Sequence, residues 1–252
     1  MAAGTYKPGG DANTDQSVSF SMKNGVAIYG GFANSGSPVL AERNPTTFAT
    51  VLSGDIGEPN NNGDNSYHVI SNDGNKLNAT AVLDGFVVTG SNGGDYGGGM
   101  YNSGSSPSVA NCVFQGNTAS EGGGMYNTSS SPTLNNCVFQ TNTASVGGGM
   151  SNDNSSPTLT GCSFRNNQSD SYGGGMNNFN TSNPTLINCL FQDNSGGFYG
   201  GGINNESSNP VLTNCSFQTN SGGLIGGGAI YNSSSNPVLT NCSFQANTGD
   251  DG

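Results

Sequence analysis

From Pro107 onward, apolar positions return at intervals that suit neither an amphipathic helix nor a simple alternating strand. Cysteines fall at Cys112, Cys137, Cys162, Cys189, Cys215 and Cys242, in steps of 25, 25, 27, 26 and 27 residues. Five positions before each stands a proline, from Pro107 and Pro132 through to Pro237. Three before each stands Val109, Leu134, Leu159, Leu186, Leu212 or Leu239. Two after each comes Phe114, Phe139, Phe164, Phe191, Phe217 or Phe244, and three further on Asn117, Asn142, Asn167, Asn194, Asn220 or Asn247. A glycine-rich triplet follows, then Met100, Met125, Met150, Met176, Ile203 or, offset by one residue, Ile230.

All the length variation falls before the glycine triplet or between the triplet and the proline, so those stretches read as turns. An apolar register that admits no indels, with slack only in polar turns, is what a coiled ribbon of strands requires. A one-residue slip would turn every inward side chain outward. The gap from Leu134 to Cys137 is odd, so the two cannot share one face of a straight strand. A left-handed corner resolves the parity. The residue before each cysteine is Asn111, Asn136, Gly161, Asn188, Asn214 or Asn241, the residue types that most readily adopt that geometry. The pattern therefore predicts an all-β, right-handed parallel β-helix: a solenoid with three short strands per coil and 25–27 residues in each. One strand runs through the triplet and Met125, one around Leu134, and one through Cys137 and Phe139. Residues 1–96 read as irregular lead-in coils and residues 97–252 as six regular repeats of one continuous domain, a rod about ten coils long at ~4.8 Å per coil. Helices are excluded, because glycine triplets and prolines would break each one.

Composition narrows the function. The 252-residue chain carries 16 acidic but only five basic side chains, for a net charge of −11. Nucleic-acid binding needs clustered cations, so no nucleic-acid partner is expected. An anionic membrane surface is equally unfavourable, and no apolar run approaches a membrane span. The opening MAAGTYKPGG reads as a strand entered midway, and little follows Asn247. We therefore expect either a fragment of a longer protein or end-to-end self-association.

The pairing of F-x-x-N with a glycine-rich element, complete at Gly227-Gly228-Ala229-Ile230, resembles the repeats of chlamydial polymorphic outer-membrane proteins. The segments NGVAIYGGF, LSGDI, YHVI and AVLDGFVVTG resemble lead-in coils of right-handed β-helices of the pectate-lyase-like superfamily. These resemblances imply a secreted or cell-surface protein. They imply no particular activity, since adhesins and polysaccharide lyases share the fold.

The six cysteines read as a column of small apolar side chains with reduced thiols, a disulfide framework being the alternative. Stacked coils bring neighbours close but leave their Cβ vectors parallel. No Cys/His spacing suits a metal, and the triplets lack the strand-helix context of a phosphate loop. We expect no cofactor, with structural calcium left open. Asn117 and its equivalents read as a hydrogen-bonded ladder. Gln115, Gln140, Gln192, Gln218 and Gln245, interrupted by Arg165, read as an outward polar one. Asp55 and Asp84 are the carboxylates that strand placement could bring together, though turn roles suit them better. His68 reads as a strand residue. The residues flanking the core Leu form no regular threonine array, against ice binding. The resulting expectation is a non-catalytic, adhesin-like rod whose partners are surface glycans or proteins, met by Tyr101, Tyr126, Tyr231 and the variable Asn/Ser loops. A polysaccharide-binding or polysaccharide-degrading β-helix is the alternative.

Overall fold

A computed structural model describes residues 1–10, 13–59 and 61–249. Among these residues the chain forms 28 short strands and two 3-10 turns, Leu40–Glu42 and Asn62–Asp64. Every strand pairing is parallel. The chain winds as a right-handed β-solenoid of about seven turns. It is shorter than the ten coils expected, because the first hundred residues spend much of their length on loops rather than on full coils.

Three long sheets run along the rod. A nine-stranded sheet starts at Gly4–Tyr6, Thr50–Ser53 and Val87–Thr89 and continues from Val113–Gln115 to Ser243–Gln245. It holds the phenylalanines in register, Phe114 on Phe139 on Phe164 on Phe191 on Phe217 on Phe244. Their rings stack at centroid distances of 4.7–5.1 Å with interplanar angles of 1–8°. An eight-stranded sheet from Ala27–Tyr29 to Val238–Thr240 aligns Leu83, Val109, Leu134, Leu159, Leu186 and Leu212. A seven-stranded sheet from Ile70–Asp73 to Ile230–Ser233 aligns Ile70, Met100, Met125, Met150, Met176, Ile203 and Ile230. Together with the cysteines these columns form one continuous buried core. Each fully buried Phe, Leu or Met side chain contributes roughly 1.5–3 kcal/mol through removal from water.

The corners follow from local chemistry. Asn111, Asn136, Gly161, Asn188, Asn214 and Asn241 all sit at positive φ, between 50° and 64°. This is the turn that puts Leu and Cys on the same side of the chain. A second left-handed corner precedes each Asn117-type residue, at Gly116, Thr141, Asn166, Asp193, Thr219 and Ala246. It was not anticipated, because these residues share no side-chain type.

A fourth, shorter sheet adds to the three-stranded coil. Thr118–Glu121, Thr143–Val146, Gln168–Tyr172 and Ser195–Gly196 pair in order. Its inward residues are Ala119, Ala144, Ser169 and Gly196. The wall they build is close to the core but contains no large apolar side chain.

A candidate binding cleft lined by tyrosines

The short sheet meets the methionine sheet at the glycine triplets. Gly97, Gly122, Gly147, Gly173 and Gly200, each the first of its triplet, adopt φ of 58–66°. The fit is close: a Cβ on Gly122 would lie 2.3 Å from the Met125 carbonyl and 2.9 Å from Tyr126 Cβ. Along this corner the outside of the rod is indented by three cavities, which together make an interrupted cleft.

One wall is the residue immediately before each triplet. Tyr96, Glu121, Val146, Tyr172 and Tyr199 are bridged in register, one coil to the next. The other wall is the residue after each core Met or Ile, the aligned column Tyr101, Tyr126, Ser151, Asn177, Asn204 and Tyr231. Asp153, Phe179 and Glu206 stand two positions beyond the second wall. Tyr101 and Tyr231 at the ends of this column are partly exposed, while Tyr126, Ser151, Asn177 and Asn204 between them are buried.

The cleft is aromatic at both ends. At the N-terminal end, His68, Tyr96, Tyr101 and Tyr126 form a cluster with ring centroids 4.7–6.2 Å apart. Tyr67, His68, Asp95, Tyr96 and Tyr101 line a cavity of about 450 Å³ there. Towards the other end Tyr172 stacks on Tyr199 with centroids 5.4 Å apart, and Tyr231 lies tilted against Tyr199 at 4.4 Å. Two cavities of about 180 Å³ each lie beside them and share Tyr172 and Glu206.

Electrostatically the cleft is one-signed. Asp95, Glu121 and Glu206 line the cavities, and none of the chain's five cationic side chains does. Half-burial, reinforced by the nearby Asp153 carboxylate, pushes the Glu121 carboxyl above its usual range. Its Oε2 is buried and accepts no hydrogen bond. Burial, together with the Glu121 and Asp153 carboxylates, also raises the Tyr126 phenol. Burial lowers the His68 imidazole, whose Nδ1–H donates to the Gly97 carbonyl at 3.1 Å. Ser151 is wholly buried on this face, and its Oγ has no partner.

The other residues singled out in the sequence lie elsewhere. Asn117, Asn142, Asn167, Asn194, Asn220 and Asn247 form an internal amide column. Asn142, for example, donates from Nδ2 to the Phe114 carbonyl at 2.9 Å and to Asn167 Oδ1 at 3.0 Å, and accepts from the Asn117 backbone N–H at 3.1 Å. The cysteines are free, and each Sγ donates to a carbonyl of the preceding coil at 3.6–3.8 Å. Burial pushes the Cys112 thiol up to about 12, and the adjoining thiols do the same for Cys162 and Cys189. Asp84 is paired with Arg43 at 2.7 Å, and Asp55 lies 3.9 Å from Lys7, so each carboxylate has its own cation. Among the outward glutamines, Gln140 donates to Gln115 at 2.8 Å.

Tyr126 departs from the expectation that it is a surface contact. It is on the outer side of the methionine sheet, yet only 5% exposed, because the glycine corner and the Tyr96 ring close over it. Tyr101 and Tyr231 are partly exposed. Sequence reasoning missed Tyr67, Tyr96, Tyr172, Tyr199, Glu121 and Glu206. The readable signal was the position just before each triplet, where tyrosine recurs three times.

The model of the family described as right handed beta helix region matches residues 100–251, more than half of the chain. The chain belongs to that family. No curated protein and no solved structure matches it. In this β-helix, the matched span contains the phenylalanine stack, the amide column and most of the tyrosine cleft.

Proposed function

We propose that the protein is a non-catalytic, secreted or cell-surface β-helical rod that binds an extended glycan along its tyrosine-lined cleft. The observation that carries this reading is the pair of aligned walls, which place aromatic faces beside carboxylate and amide groups over several successive coils. Aromatic rings offer flat apolar surfaces with little conformational entropy to lose, and the polar groups between them suit a partner rich in hydroxyls. The resemblance of the repeats to those of chlamydial surface proteins supports the adhesive setting. A lyase would use an Arg or Lys base, and the cleft offers none, so we read it as a place for holding a chain rather than cutting it.

A carbohydrate microarray probed with the intact protein tests this. Tyr101→Ala and Tyr199→Ala are each expected to weaken binding roughly tenfold, as truncation of aromatic anchors does. Thr160→Ala, on the leucine sheet, should leave binding unchanged. An array with no glycan bound, or binding that survives both tyrosine substitutions, would overturn the reading.

A further inference from the structure

We infer that the glycan taken by this cleft carries ammonium groups: it is a chain of amino sugars rather than of neutral or uronic sugars. The inference rests on the cleft being a glycan site and specifies which chemistry it selects.

Two observations converge. The cavities hold Asp95, Glu121 and Glu206 and no cation, so a uronate would meet only like charge. One Glu121 carboxylate oxygen is buried without a hydrogen bond, and Glu121 lines one cavity together with Tyr172 and Glu206.

An ammonium group in the cavity that Glu121 shares with Glu206 would supply the missing donor to Glu121 and offset two carboxylates at once. A neutral hydroxyl would supply only the donor. The tyrosine rings on either side add the attraction of a π face for a cation, which sugars lacking a charge do not engage. Over longer distances the net charge of −11 draws cationic chains towards the rod and repels anionic ones. Successive amines on a polymer can meet Glu121 and Glu206, which line one cavity, and Asp95, which lines another further towards the N-terminal end.

The test is titration calorimetry of the intact protein with four oligosaccharides of equal length: a glucosamine oligomer, its fully N-acetylated counterpart, a neutral glucan and an oligogalacturonate. Mildly acidic buffer keeps the sugar amines charged. The glucosamine oligomer is expected to bind at least roughly tenfold more tightly than the acetylated one, with the advantage shrinking as salt rises. The isosteric Glu121→Gln and Glu206→Gln changes, combined, should remove most of that advantage, bringing the glucosamine and acetylated oligomers to within roughly threefold of each other. Circular dichroism melting verifies that the variant folds. Equal or tighter binding of the acetylated, neutral or uronic oligomer overturns the charge selectivity while leaving the cleft as a glycan site. Selective binding that survives the double change but is lost in high salt places the cation on the general acidic surface and also overturns the inference. Absence of binding by all four removes both this inference and the reading beneath it.

Discussion

At the residue scale, the rod depends on polar side chains placed where an ordinary core would be apolar. The Asn117-type column satisfies backbone groups at each corner. A second amide column, Asn72–Asn102–Asn127–Asn152–Asn178–Asn205, runs behind the methionines with Nδ2-to-Oδ1 distances of 2.8–2.9 Å. A third row links Ser130, Ser155, Ser182 and Ser208, each backbone N–H donating to the hydroxyl on the next coil at 2.9–3.1 Å. Buried polar groups of this kind are costly to orphan. Asn142→Ala removes partners from the Asn117 N–H, the Phe114 carbonyl and Asn167 Oδ1 together. It is expected to destabilise the protein by about 3–5 kcal/mol in urea titration. Exposed Asn135→Ala should stay within about 0.5 kcal/mol. Only the first amide column was legible in the sequence. The second stands two residues after each core Met or Ile, where an Asn among many asparagines carries no contrast. Burial, not identity, distinguishes it.

At the scale of elements, the apolar register was readable because Leu, Cys and Phe each occupy a fixed offset that no other large side chain disturbs. The short fourth sheet was not readable, since Ala119, Ala144, Ser169 and Gly196 lack the bulk that marks an inward position. The cleft was hidden for a related reason. Its tyrosines occupy the variable position before the triplet, and they face each other only because the glycine corner folds two sheets together. A triplet glycine and a turn glycine outside the triplets differ in what they tolerate. A Cβ on Gly149 would lie 2.5 Å from the Gly175 carbonyl oxygen and 2.8 Å from Phe164 Cδ1. Gly104 has φ of 57° but open space around it. Gly149→Ala is therefore expected to cost about 2–3 kcal/mol through overpacking. Gly104→Ala should cost only about 1–2 kcal/mol, from left-handed backbone strain. Thermal melting of the two variants separates steric from conformational demand; equal losses would contradict the close packing at the corner.

For the whole molecule, each coil touches only its neighbours, so stability behaves as a sum of coil and interface contributions along one dimension. The five thiols from Cys112 to Cys215 are buried and act as reporters spaced along that axis. Phe164→Ala opens a cavity in the middle of the stack, at a cost of about 3–5 kcal/mol. Alkylation followed by mass spectrometry should then show faster labelling at Cys137, Cys162 and Cys189, with Cys112 nearly unchanged. Uniform acceleration at all four would mean that the rod opens as a single cooperative unit.

The amide columns have a direction. In both, every Nδ2 gives its proton to an Oδ1 on the following coil, so the small dipoles add along the axis instead of cancelling. A winding turned end for end would face donor with donor on one side and acceptor with acceptor on the other. Whole windings can be copied or lost in their original sense with each junction still matched, whereas half a winding, or an inverted one, cannot. The number of repeats is thus the one dimension in which this architecture is free to vary in length.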